Sequence, residues 1–126
     1  MKKITLTTLF FIISFCLFSQ QTLTNTINHQ GIEREYIIHI PSSYTNKSEV
    51  PLLLCFHGYS SSANIIMTYS GFNELSEKEG FIVVYPQGTI YKKSGETHWN
   101  VGYTPESQIN DIEFTNILLD NLFVKY

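Results

Sequence analysis

Cysteine is nearly absent from this chain. Of 126 residues, only Cys16 and Cys55 carry a thiol. A framework of internal disulfides is thereby excluded, and Cys55, set in an apolar run, reads as a small buried hydrophobe. Basic charge is also scarce, with eight Lys+Arg against eleven Asp+Glu and a formal net charge of −3. No cluster of Lys or Arg occurs, so nucleic acid and anionic membrane surfaces are poor partners. The four histidines (His29, His39, His57 and His98) and the carboxylates show no metal-ligand spacing, and no metal or cofactor is expected. No segment is low in complexity, and the length allows one domain at most.

The first 19 residues stand apart. Lys2 and Lys3 precede a largely apolar stretch from Ile4 to Phe18, followed by the small residue Ser19. A positive start, an apolar middle and a small residue before the cut describe a secretory signal. The apolar stretch is shorter than the roughly 20 residues a spanning helix needs. Phe15 is too large for the position ahead of a lipidated Cys16. The expected organisation is therefore a signal peptide over 1–19 and a secreted, extracellular domain over 20–126. That domain starts at Gln20 or Gln21, keeps Cys55 alone and has no membrane attachment. Loss of Lys2 and Lys3 makes the formal charge more negative by two.

The chain is organised around Pro51-Leu52-Leu53-Leu54-Cys55-Phe56-His57-Gly58-Tyr59. Leu52 to Phe56 is apolar without alternation, which predicts a strand buried on both faces, as in a parallel sheet covered by helices. His57-Gly58 ends it, Ser60, Ser61 and Ser62 follow, and Ser62 is placed to cap a helix through Ala63, Ile65, Ile66 and Met67. A strand, a tight glycine turn and a helix gather backbone N–H groups at the carboxyl end of a sheet, where ligands bind in open α/β folds.

Around this unit the pattern is consistent. Thr22–Gln30 and Ile32–Ile40 read as two antiparallel strands joined near Gly31. Tyr36, Ile38 and Ile40 share one face, Ile37 and His39 the other, and Pro41 ends the pair. His29 and His39 read as surface turn and strand residues. Ser42 to Val50 is a polar loop. Phe72 to Glu79 is helical with Phe72 and Leu75 inward, and Gly80 ends it in the left-handed conformation. Phe81 to Tyr85 is the next buried strand. Thr89 to Glu106 reads as a long polar loop carrying Tyr91, His98, Trp99 and Tyr103. A final helix runs from about Asn110 to Tyr126, with Ile112, Leu119 and Phe123 as one apolar stripe and Phe114, Ile117, Leu118 and Leu122 beside it.

Several of these pieces carry a resemblance. Arg34-Glu35-Tyr36-Ile37-Ile38-His39-Ile40-Pro41, the strand ending in His57-Gly58, Gly80-Phe81-Ile82-Val83-Val84-Tyr85-Pro86-Gln87-Gly88, Trp99-Asn100, and Asp111-Ile112-Glu113-Phe114 occur in one order. In that order and spacing the chain resembles the first half of the secreted polyhydroxybutyrate depolymerase and feruloyl esterase group of α/β-hydrolases, over about residues 25 to 126. The resemblance implies a truncated α/β-hydrolase: an N-terminal antiparallel hairpin plus parallel strands with flanking helices. It puts the strand at 51–56 between the strand at 81–85 and a nucleophile strand that follows the last helix. His57, Gly58 and Tyr59 would form the oxyanion loop, with the N–H at or near Tyr59 as donor, and Trp99 and Asn100 would lie near the substrate.

The nucleophile elbow Gly-x-Ser-x-Gly is missing: the glycines at 31, 58, 71, 80, 88, 95 and 102 give no such match. The catalytic serine, acid and histidine are accordingly expected beyond Tyr126. Ser60, Ser61 and Ser62 read as loop and cap residues, since a nucleophilic serine needs a base within reach. Asp111 and Asp120 read as helix or structural residues. Two functions stay open: a secreted esterase acting on polyester or polysaccharide-linked acyl esters (or a peptidase or lipase of the same fold), and a non-catalytic secreted remnant or binding protein.

Overall fold

The computed structural model describes residues 20–102 and 107–126. The expected signal segment and Tyr103 lie outside them. Two layers of side chains are built from one alternating pattern. In β2 (Ile32–Ile40), Tyr36 and Ile38 point to one side of the sheet and Ile37 to the other, as period-two geometry requires. β4 (Ile82–Pro86) does the same, with Ile82 and Val84 opposite to Val83 and Tyr85, and every residue of it is buried.

The main sheet has four strands in the order β1-β2-β4-β3, where β1 is Gln21–His29 and β3 is Leu52–Leu54. β1 pairs antiparallel with β2 across the Gln30-Gly31 turn, β2 pairs antiparallel with β4, and β3 pairs parallel with β4. Helices α1 (Ala63–Ser70) and α2 (Phe72–Glu79) cover one face through Ala63, Ile66, Met67 and Phe72. Helix α3 (Asp111–Lys125) covers the other through Phe114, Leu118 and Leu122. Ser62 caps α1 by accepting from the Ile65 N–H, and Gly71 and Gly80 close α1 and α2 in the left-handed region, as glycine allows.

Five expectations are corrected. β3 is three residues long and only half buried, because it is the sheet edge and no described strand covers its outer side. The stretch after β4 is not all loop: β5 (Thr89–Tyr91) and β6 (Glu96–His98) form an antiparallel hairpin, turned by Gly95 at φ 77°. Leu75 is 42% exposed, and Ser76 takes the inward position, its hydroxyl donating to the Phe81 carbonyl. On α3 the buried stripe is Asp111, Phe114, Leu118 and Leu122, whereas Ile112 and Phe123 face outward. His29 and His39 are buried, not surface residues. His29 sits beside Phe114 and reaches Glu113, and His39 bridges Thr22 and Glu77.

Candidate active site

The chain turns sharply where β3 leaves the sheet. Cys55 still donates to the Val84 carbonyl at 2.8 Å, and two residues later the His57 ring is buried beneath the turn. Its Nδ1 lies 2.7 Å from the Gly58 carbonyl, and its Nε2 accepts from the Gly88 N–H at 2.9 Å. A carbonyl only accepts, so Nδ1 carries the proton and Nε2 the lone pair. The Gln87 side-chain amide stands 3.2 Å from the same Nε2. With both nitrogens engaged inside the fold, His57 shapes the turn and offers no free base.

Three further elements clamp this turn. The Trp99 indole N–H donates to the His57 carbonyl at 2.9 Å, and its ring lies 5.0 Å from both Phe56, edge to face, and His57. β6 reaches the serines: the Ser60 N–H donates to the Thr97 carbonyl at 2.9 Å, the Ser60 hydroxyl to Glu96, and the Thr97 hydroxyl to the Ser61 carbonyl. Gln87 receives the Ala63 N–H at 2.9 Å, fastening the start of α1 to the end of β4. Ser60 holds φ 60°, a left-handed conformation unusual for a non-glycine and found at turns that are over-determined by their surroundings.

What remains outward is Tyr59. Its side chain is 61% exposed, and its N–H donates to no described residue. The arrangement therefore presents one unengaged backbone donor at the carboxyl end of β3, next to the start of α1. Such a donor can hold a carboxylate or a developing oxyanion. None of the three serines touches an imidazole: Ser60 pairs with Glu96, and Ser62 caps α1.

Asn100 is committed to its own loop. Its side-chain amide donates to the carbonyls of Ser107 and Ile109 at 2.9 and 2.8 Å, and its oxygen accepts from the Gly102 N–H. Its backbone N–H donates to Asp111 at 2.6 Å, and Asp111 in turn holds Arg34 at 2.6 Å in a pair buried on both sides. Arg34 also lies 3.8 Å over the Phe114 ring and donates to the Gln87 carbonyl. Asp111 thus acts structurally, joining α3 to β2 and to the loop behind the turn. Trp99 forms part of the wall of two cavities. One, of about 320 Å³, is shared with Tyr59, Tyr91 and His98, and the other, of about 380 Å³, is lined also by Phe56, Val101 and Ile112. Cys55 lies beside the inner core, where burial pushes its thiol up from the ordinary value. No metal-ligating cluster occurs among the described residues.

The sequence drew attention to His57, Gly58, Tyr59, Trp99 and Asn100, and the fold brings the first four together. It carried Gln87 and Gly88 only as the end of the run that bears the resemblance, with no contact to the turn, and gave no role to Thr97. The only hint was the glycine just after β4, where a side chain would collide with its neighbours.

No family model matches the chain. It is 31% identical over 88 residues to a bifunctional acetylxylan esterase/xylanase of Neocallimastix patriciarum, an alignment that takes 70% of this chain and 12% of that protein. A ferulic acid esterase structure superposes on 86% of the chain with a TM-score of 0.65 at 20% identity, using 44% of its own length. An S-formylglutathione hydrolase of Staphylococcus aureus superposes on 81% with a TM-score of 0.55 at 14% identity, using 41%. The chain thus spans less than half the length of each of these proteins. With this sheet order, its turn at the end of β3 and these likenesses, the chain has part of an α/β-hydrolase fold, similar to that of the esterases it matches.

Proposed function

We propose that the chain is the oxyanion-bearing part of a secreted serine esterase, whose nucleophile, acid and base histidine come from residues outside 1–126. The observation that carries this reading is the turn at His57, Gly58 and Tyr59. It is fixed by Gly88, Trp99 and Thr97, and its Tyr59 N–H, at the carboxyl end of a parallel strand, has no partner among the described residues. In ester hydrolysis a serine oxygen attacks the carbonyl carbon while a histidine takes its proton. The carbonyl oxygen becomes an anion held by the turn, and the alcohol leaves with the proton returned. Water then releases the acid by the same steps.

The sheet supports the location of the nucleophile. The start of α3 lies beside Phe56, and its end beside Val50 and Leu52, so α3 runs antiparallel to β3. That is the direction of a crossover helix, and a strand following it would add parallel to β3 at its open edge. Its carboxyl end would then face Tyr59. The substrates inferred are acyl esters on a polymer, such as polysaccharide-linked acetyl or feruloyl groups or a polyester. The support is the names of the acetylxylan and ferulic acid esterases that the chain is similar to. That no serine pairs with a histidine among the described residues favours a second reading, a non-catalytic remnant of the same half-fold.

Intact-mass analysis of the native secreted protein separates the two. A mass well above 14.5 kDa, starting at Gln20 or Gln21 and with a Gly-x-Ser-x-Gly in the continuation, is expected. In that longer protein Tyr59→Pro, which removes the donor, lowers kcat about 10²–10³-fold on an acetyl ester. A native product ending at Tyr126 would sink the enzyme reading.

A further inference from the structure

β1 is the outer strand of the sheet, and Thr22 lies exposed near its start. Directly across the pair stands His39, which is buried. The Thr22 Oγ1 is 2.8 Å from His39 Nδ1, and His39 Nε2 is 3.0 Å from a carboxylate oxygen of Glu77. A carboxylate only accepts, so Nε2 carries the proton, and Nδ1 of the neutral ring accepts from the Thr22 hydroxyl. The second carboxylate oxygen of Glu77 is held by the Ser42 N–H at 3.1 Å and the Ser42 hydroxyl at 2.8 Å. A hydroxyl, an imidazole and a fixed carboxylate thus stand in line, brought together from β1, β2 and α2. A hydroxyl becomes a nucleophile through such a base, itself oriented by a third group.

The strand supplies a backbone donor as well. Gln30 and Gly31, both at positive φ, make a two-residue turn between the paired His29 and Ile32. From that turn, pairs that exchange backbone bonds alternate with pairs that do not, and Thr22 with His39 falls in the second set. In such a pair the side chains stand closest and the backbone groups point away from the partner. The Thr22 N–H is therefore directed outward at the free edge of β1, next to its own hydroxyl, where it can hold an oxyanion formed there. Thr24 shares the strand, the face and the outward N–H, and it too is exposed, but it stands opposite Ile37 and not an imidazole.

We propose that Thr22 is an activated nucleophile, separate from the turn at His57, which takes the acyl group of a small activated ester with His39 as base and Glu77 as positioning residue. The Thr22 oxygen bonds to the carbonyl carbon as its proton passes to His39 Nδ1. The bond from that carbon to the alcohol oxygen then breaks, and the alcohol leaves with the proton from His39. The products are an acyl-threonine and the free alcohol. An exposed strand has little with which to grip a larger substrate, so the class is short acyl esters with a good leaving group. None of these groups belongs to the turn, so this activity stands whether or not the esterase reading does.

The probe is para-nitrophenyl acetate, given to the full chain carried on a solubilising fusion partner, with acetylated positions mapped by mass spectrometry. An acetyl ester is expected on Thr22, forming at least about 10²-fold faster than on Thr24, because only Thr22 has a general base. Hydroxylamine should remove it, as it removes an ester and not the amide of an acetylated lysine. Glu77→Gln should slow acetylation of Thr22 about tenfold or more and leave Thr24 unchanged. A merely structural bond between β1 and α2 would give neither result. No ester at Thr22, equal rates at Thr22 and Thr24, or a folded Glu77→Gln variant that reacts as before would each overturn the proposal. The two threonines are compared within the unaltered chain, so that comparison decides the matter even if the variant does not fold.

Discussion

Gly88 is dictated by its neighbours. A Cβ there would stand 2.6 Å from the His98 carbonyl oxygen and 3.1 Å from the His57 Nε2, and neither is a flexible side-chain end. Gly88→Ala should therefore displace the His57 ring and strand β6 together, at a cost of about 1–3 kcal/mol. Thermal unfolding would show a lowered Tm, and Trp99 emission would shift in the folded state. A second residue-scale prediction concerns Glu77. Burial alone would raise its carboxyl. The Ser42 hydroxyl and N–H, together with His39, outweigh that and hold it below its ordinary 4.5. A carboxylate whose folded value is depressed adds stability above 4.5 and loses it as pH falls through the folded value. Between about pH 6 and about pH 3 the urea midpoint of the native chain should therefore drop more than that of Glu77→Gln.

At the scale of elements, Arg34 and Asp111 join β2 to α3 across 2.6 Å with both side chains out of water. Removing either partner alone strands a buried charge. Arg34→Met or Asp111→Asn should cost about 3–5 kcal/mol in denaturant unfolding, and replacing both with apolar residues should recover much of it. Asn110, whose side chain accepts the Glu113 N–H, caps α3, and Asn110→Ala should cost only about 1 kcal/mol. The same elements show what the sequence could reveal. The β1–β2 hairpin, the face of β2 that carries Tyr36, Ile38 and Ile40, the burial of β4, and the caps at Ser62 and Gly80 were legible, because an apolar run and a well-placed serine or glycine leave few alternatives. β5 and β6 were not, since three residues apiece are too few to establish a period. On α3, Phe114, Leu118 and Leu122 follow helical spacing, but so do Ile112, Leu119 and Phe123, and only the packing tells which stripe is inside. The burial of His29 and His39 was hidden because their partners, Glu113 and Glu77, are distant in sequence. At the site, His57 to Tyr59 announced themselves at the end of an apolar run. Gln87 and Thr97 act through a hydrogen bond to a ring and a backbone carbonyl, which leaves no trace in residue type.

On the whole molecule, apolar side chains stay uncovered along α3 and near the β3 edge. Phe123 is 70% and Val124 90% exposed, Phe56 and Ile112 are exposed too, and the outer edge of β3 has no ladder partner among the described residues. An open edge beside uncovered apolar side chains promotes association. Phe123→Lys combined with Val124→Glu should raise the concentration at which the 126-residue chain stays monodisperse in light scattering. The circular dichroism should be unchanged, because neither residue belongs to the core.

The clamp on the turn has a bearing on how such an enzyme is put together. Every group that fixes His57 and Ser60 comes from residues 57 to 99, so the shape of the turn is settled within one short span of polypeptide. A chain made from its N-terminus folds such a span early. In the proposed secreted esterase, the electrostatic half of the catalyst would already be standing when the nucleophile segment followed it across the membrane. The two halves of the chemistry would then be separable in time as well as in sequence.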